Sequence, residues 1–225
     1  MPARKRLVII GAGGMASEVA WMLRIADPDA TQWELVGYAV SDPRYLTPPI
    51  AGLPVGTFED LGSWGVDVAV VAVGAALLRR RLAVEASVYL PGLEWPSVVD
   101  PRAVVADAVS IGCGVIVAPG SVVSVDVHME AFSFVNYGAT IGHGAQIGAG
   151  SIVAPGANVA GDVRIGCETL IGSGAQVLRS VRIGDRTVVG AGSVVNRDVG
   201  DDSVVVGVPA RPLSRTALQV PMHET

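Results

Sequence analysis

The chain has 225 residues, half of them hydrophobic, with 16 Lys+Arg against 21 Asp+Glu and a formal net charge of −5. That is enough apolar chain to bury a core in one large domain or two small ones, and an acidic balance with no basic run longer than Arg79-Arg80-Arg81 excludes nucleic acid as the expected partner. Two cysteines, Cys113 and Cys167, stand in no Cys-x-x-Cys or Cys/His cluster, which argues against a metal site and for a reducing, cytoplasmic compartment, and the apolar run Leu7 to Ile10 stops at glycines far short of a signal peptide or a membrane span.

Taken in chain order, Leu7-Val-Ile-Ile10 is β-branched and bounded by Gly11-Ala12-Gly13-Gly14, after which Val19, Ala20, Leu23 and Ala26 fall at helical spacing. The pattern reads strand, tight turn, helix. Further buried strands are expected at 33–40 and 67–73, the second running through Gly74 into a helix around Leu77 to Tyr89. Residues 1–90 therefore form a small Rossmann-like α/β domain with a parallel sheet.

From about Val99 the texture changes to Val, Ile, Gly, Ala and Ser in a repeating order. Steps of six from Val99 reach Val195 through seventeen aliphatic residues, and four places after each stands only Ala, Val, Ser or Thr. A period of six without slippage over 102 residues cannot be an α-helix, whose face drifts every 3.6 residues. Short strands joined by tight corners remain. Three hexads close a triangular coil of eighteen residues, and coils stacked at roughly 4.8 Å give nearly six coils in a prism about 27 Å tall. Gly and Ala in the second place of the hexads leave room at the corners. Cys113 and Cys167 share one column three coils apart, about 14 Å, beyond disulfide reach. A β-helix domain over 91–206 and a C-terminal tail over 207–225 complete the division.

The turn Gly11-x-Gly13-x-x-Ala16 has a physical use beyond tight geometry, since backbone N–H groups at a helix start favour an anion and glycine lets a phosphate approach closely. About 90 residues hold only half of a dinucleotide fold, and the second strand ends Val40-Ser41-Asp42 without a clear ribose-binding acid at its tip, which disfavours NAD.

Four motifs in order, Val8-Ile-Ile-Gly-Ala-Gly-Gly-Met-Ala-Ser-Glu-Val-Ala20, Ala72-Val-Gly-Ala-Ala-Leu-Leu-Arg79, Asn136-Tyr-Gly-Ala-Thr-Ile-Gly-His143 and Val206-Gly-Val-Pro-Ala-Arg211, carry a resemblance over the whole chain. It resembles the bacterial sugar O-acyltransferases of the sialic-acid O-acetyltransferase type, a group of hexapeptide-repeat enzymes that includes N-acetyltransferases of nucleotide-linked 4-amino sugars. The resemblance implies a left-handed prism, a homotrimer with active sites between chains, and acetyl-CoA as co-substrate. Handedness comes from the resemblance alone, because parallel crossovers are normally right-handed. By the same analogy Gly13, Gly14, Met15, Ser41, Asp42 and Gly74 surround a nucleotide sugar, with Asn136 also on the substrate side, and Gly161, Ser173 and Ala191 meet the cofactor. Apolar Phe132, Phe134 and Ile152 on the outer wall are expected to support the trimer.

His143 takes the third place of its hexad, between inward Ile141 and Ala145, so its imidazole points out of the wall. A lone exposed histidine is by itself more often bland than functional; the match to the family's catalytic histidine makes it the expected general base. A neutral imidazole suits removal of a proton from an amine or hydroxyl attacking a thioester. Two departures stand out. The family usually has Asp or Glu after this histidine, where this chain has Gly144, although Asp126 and Asp162 lie one coil below and above it; and Ile152 replaces a histidine that contacts the cofactor in some relatives. The His143 column continues through Gly161, which would leave room for the pantetheine arm, to Arg179 and Arg197, which either meet CoA phosphates or merely face solvent.

The leading expectation is transfer of acetyl to the amino group of a nucleotide-linked sugar. O-acetylation of a sialic acid, a non-catalytic trimeric nucleotide-sugar-binding protein, and a serine-acetyltransferase-like enzyme are the alternatives, the last weakened because its relatives carry an all-helical N-terminal domain. A γ-carbonic-anhydrase-like metal site would need three converging histidines, and the chain has only His128, His143 and His223.

Overall fold

The computed structural model describes residues 4–213, and the chain divides into two compact units after Val98. His223 lies outside the described residues, as does the tail beyond Leu213.

In the first unit four parallel strands, β1 (Lys5–Ile10), β2 (Trp33–Val40), β3 (Val55–Thr57) and β4 (Val68–Val71), lie in the order β3-β2-β1-β4. Leu7 to Ile10 and Val68 to Val71 are buried throughout, which is why they read as unbroken apolar runs: a parallel sheet between helices has no wet face. Helix α1 (Gly14–Ala26) buries Ala16, Val19, Ala20, Met22 and Leu23, whereas Ala26 is only half-buried. The buried Asp27 carboxylate accepts from the backbone N–H groups of Thr31, Gln32 and Trp33 and so sets the turn into β2. After β4 comes α2 (Ala76–Tyr89). Residues 91–98 group with this unit, Glu94 bridging in parallel to Val68.

In the second unit two-residue strands recur every six residues and pair in parallel with the strand eighteen residues on, as in His128 with Gln146, Phe134 with Ile152 and Thr140 with Asn158. Three walls result. The first runs from Val98–Val99 to Val204–Val206, with Arg211–Pro212 added antiparallel at its end, the second from Ser110–Ile111 to Arg182–Ile183, the third from Val104–Val105 to Val194–Val195. From Val117 to Val195 the first-place aliphatics are buried in one continuous core, each worth about 1.5–3 kcal/mol on full burial. In the opening coil Val99 and Val105 are half-buried and Ile111 is 37% exposed. Small inward residues at the fifth place include hydroxyls, which bond the backbone of the neighbouring coil: Thr169 Oγ1 donates to Gly184 O at 2.7 Å and accepts from Thr187 N at 3.1 Å.

Two backbone demands sit at each corner. The fourth place is left-handed, with φ between +50° and +72° from Gly114 to Gly192, whether the residue is Gly, Asp126, Phe132, Glu168 or Arg186. The second place faces the next coil: a Cβ on Gly148 would lie 2.4 Å from the carbonyl of Gly166. Phe134 and Ile152, placed on the outer wall by the hexad period, are 0% and 3% exposed within the single chain, and Phe132 is half-buried at its corner. The hexad period separates inward from outward positions but carries no information on whether an outward position is covered. Cys113 and Cys167 are both thiols.

Because the atoms against the Gly148 Cβ site are backbone, Gly148→Ala forces the coils apart and should destabilise the protein by about 1–3 kcal/mol in urea or thermal unfolding. Gly200→Ala, with no atom within 4 Å of its Cβ site, should leave the midpoint nearly unchanged. Equal effects of the two would contradict backbone crowding as the reason for second-place glycines.

Candidate active site

The carboxyl ends of β1 and β4 form the switch point of the first sheet, where α/β folds bind ligands. Gly11 turns there with φ +122°, and a Cβ on it would lie 2.7 Å from Ala72 O, so only glycine lets β1 leave the sheet so close to β4. Gly13 caps α1 without a side chain, no acid stands in the first turn, and nothing lies within 4 Å of the Cβ positions of Gly13 and Gly14. The helix start is therefore open and its dipole is not neutralised by a neighbouring acid. Met15 reaches across to Gly74, whose Cβ site is 4.0 Å from Met15 Sδ.

Ser41 lines a shallow cleft with Pro43, Thr57, Phe58, Glu59 and Tyr89. Asp42 is bound within its own loop: its carboxylate accepts from Arg44 Nη2 at 2.7 Å and Arg44 N at 2.9 Å, and the Arg44 hydrogen bonds hold the carboxyl below its usual range. One further residue belongs to this edge of the sheet. Arg79 is fully buried in α2 and donates through Nη1 to the carbonyls of Val71 and Val73, both at 3.1 Å, fixing the loop that carries Gly74. Burial pushes its pKa down to about 9, which still leaves it charged at neutral pH. A buried cation inside a helix breaks no sequence period, so only its place in the motif Ala72 to Arg79 marked it.

In the second unit His143 stands on the corner that follows the third-wall strand Thr140–Ile141, its side chain 54% exposed. Gly161, one coil up, is buried beneath it: a Cβ there would meet His143 Nε2 at 2.5 Å, so the open space over Gly161 is taken up by the imidazole. The His143 carbonyl accepts from Asp162 N at 2.8 Å, and His143 Nδ1 lies 3.8 Å from Asp162 Oδ1. Asp162 Oδ2 in turn accepts from Arg179 Nε at 3.0 Å and Nη2 at 2.8 Å. These hydrogen bonds hold the Asp162 carboxyl below its usual range, and the nearby imidazole adds a smaller pull.

Ser173 and Ala191 are exposed on a different corner, the one after first-wall strands, which also carries Asn136, whose Oδ1 accepts from Tyr137 N at 2.7 Å. One chain thus joins His143 to Gly161 but sets Ser173, Ala191 and Asn136 apart from them. Among the described residues no three His, Cys, Asp or Glu are grouped to hold a metal, and no helix is long and apolar enough to cross a membrane.

Residues 162–197 match the family described as bacterial transferase hexapeptide (six repeats). No curated protein sequence matches the chain. Solved structures do. The acetyltransferase domain of PglB from Neisseria gonorrhoeae, solved also with acetyl coenzyme A, is 31% identical with a TM-score of 0.82 and a match covering 93% of this chain and 100% of its own. PerB from Caulobacter crescentus, in complex with CoA and GDP-perosamine, is 32% identical with a TM-score of 0.82, covering 94% and 98%. WeeI from Acinetobacter baumannii is 26% identical with a TM-score of 0.83, covering 93% and 100%. Relatives matched over nearly their full length, together with the switch-point sheet and the hexad prism, show that the chain belongs to the hexapeptide-repeat sugar N-acetyltransferases, in which a Rossmann-like domain precedes a left-handed parallel β-helix.

Proposed function

We propose that this enzyme moves acetyl from acetyl-CoA to the amino group of a nucleotide-linked amino sugar, with His143 as general base. The observation that carries the reading is the exposed His143 imidazole, seated over Gly161 on the prism corner of a chain similar to PerB, which binds CoA and GDP-perosamine. The sugar nitrogen attacks the thioester carbonyl carbon and gives its proton to the imidazole; the tetrahedral intermediate then expels the CoA thiolate, which takes up a proton. No acyl-enzyme forms. The open start of α1 receives the nucleotide phosphates, with Gly13, Gly14, Met15, Ser41, Asp42, Gly74 and Asn136 on the substrate side, and Gly161, Ser173 and Ala191 on the cofactor side. We place the reaction in the cytoplasm.

Since His143 and the Ser173–Ala191 column lie on different corners of one chain, a groove lined by both needs a second copy, and a homotrimer supplies it. Light scattering should give three chains per particle. His143→Ala and Ala191→Trp should each be inactive alone, while randomly mixed trimers regain about a quarter of full activity, the share of interfaces pairing an intact His143 with an intact Ala191. A monomer, or no recovery on mixing, would remove the shared site.

Mass spectrometry after incubation with acetyl-CoA and a panel of nucleotide 4-amino sugars should show a single acetyl added to nitrogen. Acetylation only of sugar hydroxyls would move the enzyme to the O-acetyl class. His143→Ala should lose about two to four orders of magnitude in turnover while still binding acetyl-CoA. Structures of PerB in which a histidine is replaced by asparagine or alanine hold both CoA and GDP-perosamine.

Gly14→Glu sets stability against binding. An acid in the first turn of α1 should stabilise the helix by about 0.3–1 kcal/mol, yet its charge occupies the phosphate position and should weaken nucleotide-sugar binding at least about tenfold by calorimetry. Unchanged affinity would place the phosphates elsewhere.

A further inference from the structure

We infer that Asp162 is the positioning residue of His143, standing one coil above it in the space that a side chain at 144 would fill, and that Arg179 holds it there. The inference rests on His143 acting as the base. Residue 144 occupies the left-handed fourth place of its hexad with φ +67°, and a Cβ built on Gly144 would lie 2.8 Å from Asp162 Oδ1. The Asp162 carboxylate thus fills the volume that a carboxylate beginning at 144 would use. It also faces the right atom: Oδ1 is 3.8 Å from Nδ1, too long for a hydrogen bond but within reach of one after a small rotation of the exposed imidazole. Arg179 bonds Oδ2 through two nitrogens, which fixes the rotation of the carboxylate and leaves Oδ1 for the imidazole. With Nδ1–H directed at Asp162, Nε2 keeps the lone pair that accepts the amine proton.

Asp126 has the same backbone conformation one coil below, φ +57°, but the carboxylate that comes within 4 Å of the imidazole is that of Asp162. The same geometry gives Arg179 a task other than meeting CoA phosphate. Its guanidinium is spent on Asp162, so its loss should be felt in turnover rather than in cofactor affinity.

Steady-state kinetics on the trimer tests this directly. Asp162→Asn should lower kcat roughly 10- to 100-fold, the scale on which misplaced catalytic groups act, with both KM values within about twofold of wild type and an unchanged melting midpoint. Asp126→Asn should match wild type. Arg179→Ala should lower kcat by a smaller factor and leave the KM for acetyl-CoA unchanged; a raised KM with normal kcat would assign Arg179 to the cofactor instead. The decisive variant moves the acid: Asp162→Gly should be as slow as Asp162→Asn, and adding Gly144→Asp, in a backbone conformation that Asp126 and Asp162 already tolerate, should restore most of kcat. Wild-type kcat in Asp162→Asn, equal loss in Asp126→Asn, or no recovery in the double variant overturns the inference. His143→Ala, run alongside, separates the two readings: if it is inactive while Asp162→Asn is not, only the positioning role falls, whereas near-wild-type His143→Ala removes the general base and this role with it.

Discussion

Parallel pairing of each residue with the one eighteen places on, seen from Val104 with Val122 to Gln176 with Val194, is the constraint on which the second unit depends. It fixes an axial step of about 4.8 Å, which brings the backbone of one coil close to the next. At Gly142 a Cβ would lie 2.5 Å from Gly161 N in the coil above, and the chain turns through a left-handed residue two places later. The inward aliphatics supply the driving force and the corners supply the geometry. Neither suffices alone, because a single coil cannot bury its own core; Ile111, 37% exposed in the opening coil, shows a hexad stacked on one side only.

The same register makes the corners suitable for chemistry. Third-place residues project outward and recur in a column, so groups distant in sequence stand one coil apart on a rigid frame. His143, Gly161 and Arg179 are such a column, with Asp162 beside it at the left-handed place. Gly161 gives the imidazole room to lie flat against the wall. A side chain on a mobile loop would have no fixed frame; here Gly144 N donates to Val125 O and Asp162 N donates to His143 O, which holds both flanks of the turn.

Much of this was legible in the sequence, and what was not has physical reasons. The first-place column from Val99 to Val195 announced both period and core, and Leu7 to Ile10, 33–40 and the helix after Gly74 were plain from apolar runs punctuated by glycine. Strand β3 gives no sequence signal because Val55–Thr57 is three residues long and follows a proline, with Gly56 leaving room for the Asp60 carboxylate and the Trp64 ring. The left-handed fourth place was hidden because Gly, Asp, Phe, Glu, Ser and Arg all occupy it, so no residue class marks a conformation that the coil imposes. Phe134 and Ile152 stand at outward places yet are buried within one chain, since periodicity separates inside from outside but says nothing of what covers the outside. Near His143, counting by eighteen brings Asp126 and Asp162 equally close to Gly144, and it is Asp162 whose carboxylate turns toward the imidazole.

That choice shows how a stacked coil differs from other protein frames. On a helix or a loop, moving an acid eighteen residues away would remove it from the site altogether. In this prism, residues i and i+18 share a column and a backbone conformation, so a carboxylate at 162 and one at 144 reach nearly the same volume from opposite sides of one hydrogen-bonded step. A Cβ at 144 would press on Asp162 Oδ1 and turn that carboxylate aside, and with glycine there it keeps its place. The exchange also has one electrostatic condition. A carboxylate arriving from the coil above is free to rotate toward solvent unless something holds it, and Arg179, on the next coil up, provides two hydrogen bonds to the oxygen that does not face the imidazole. The absence of an acid after His143 and the presence of an arginine at 179 are therefore two parts of one arrangement, in which vertical stacking takes the place of sequence adjacency.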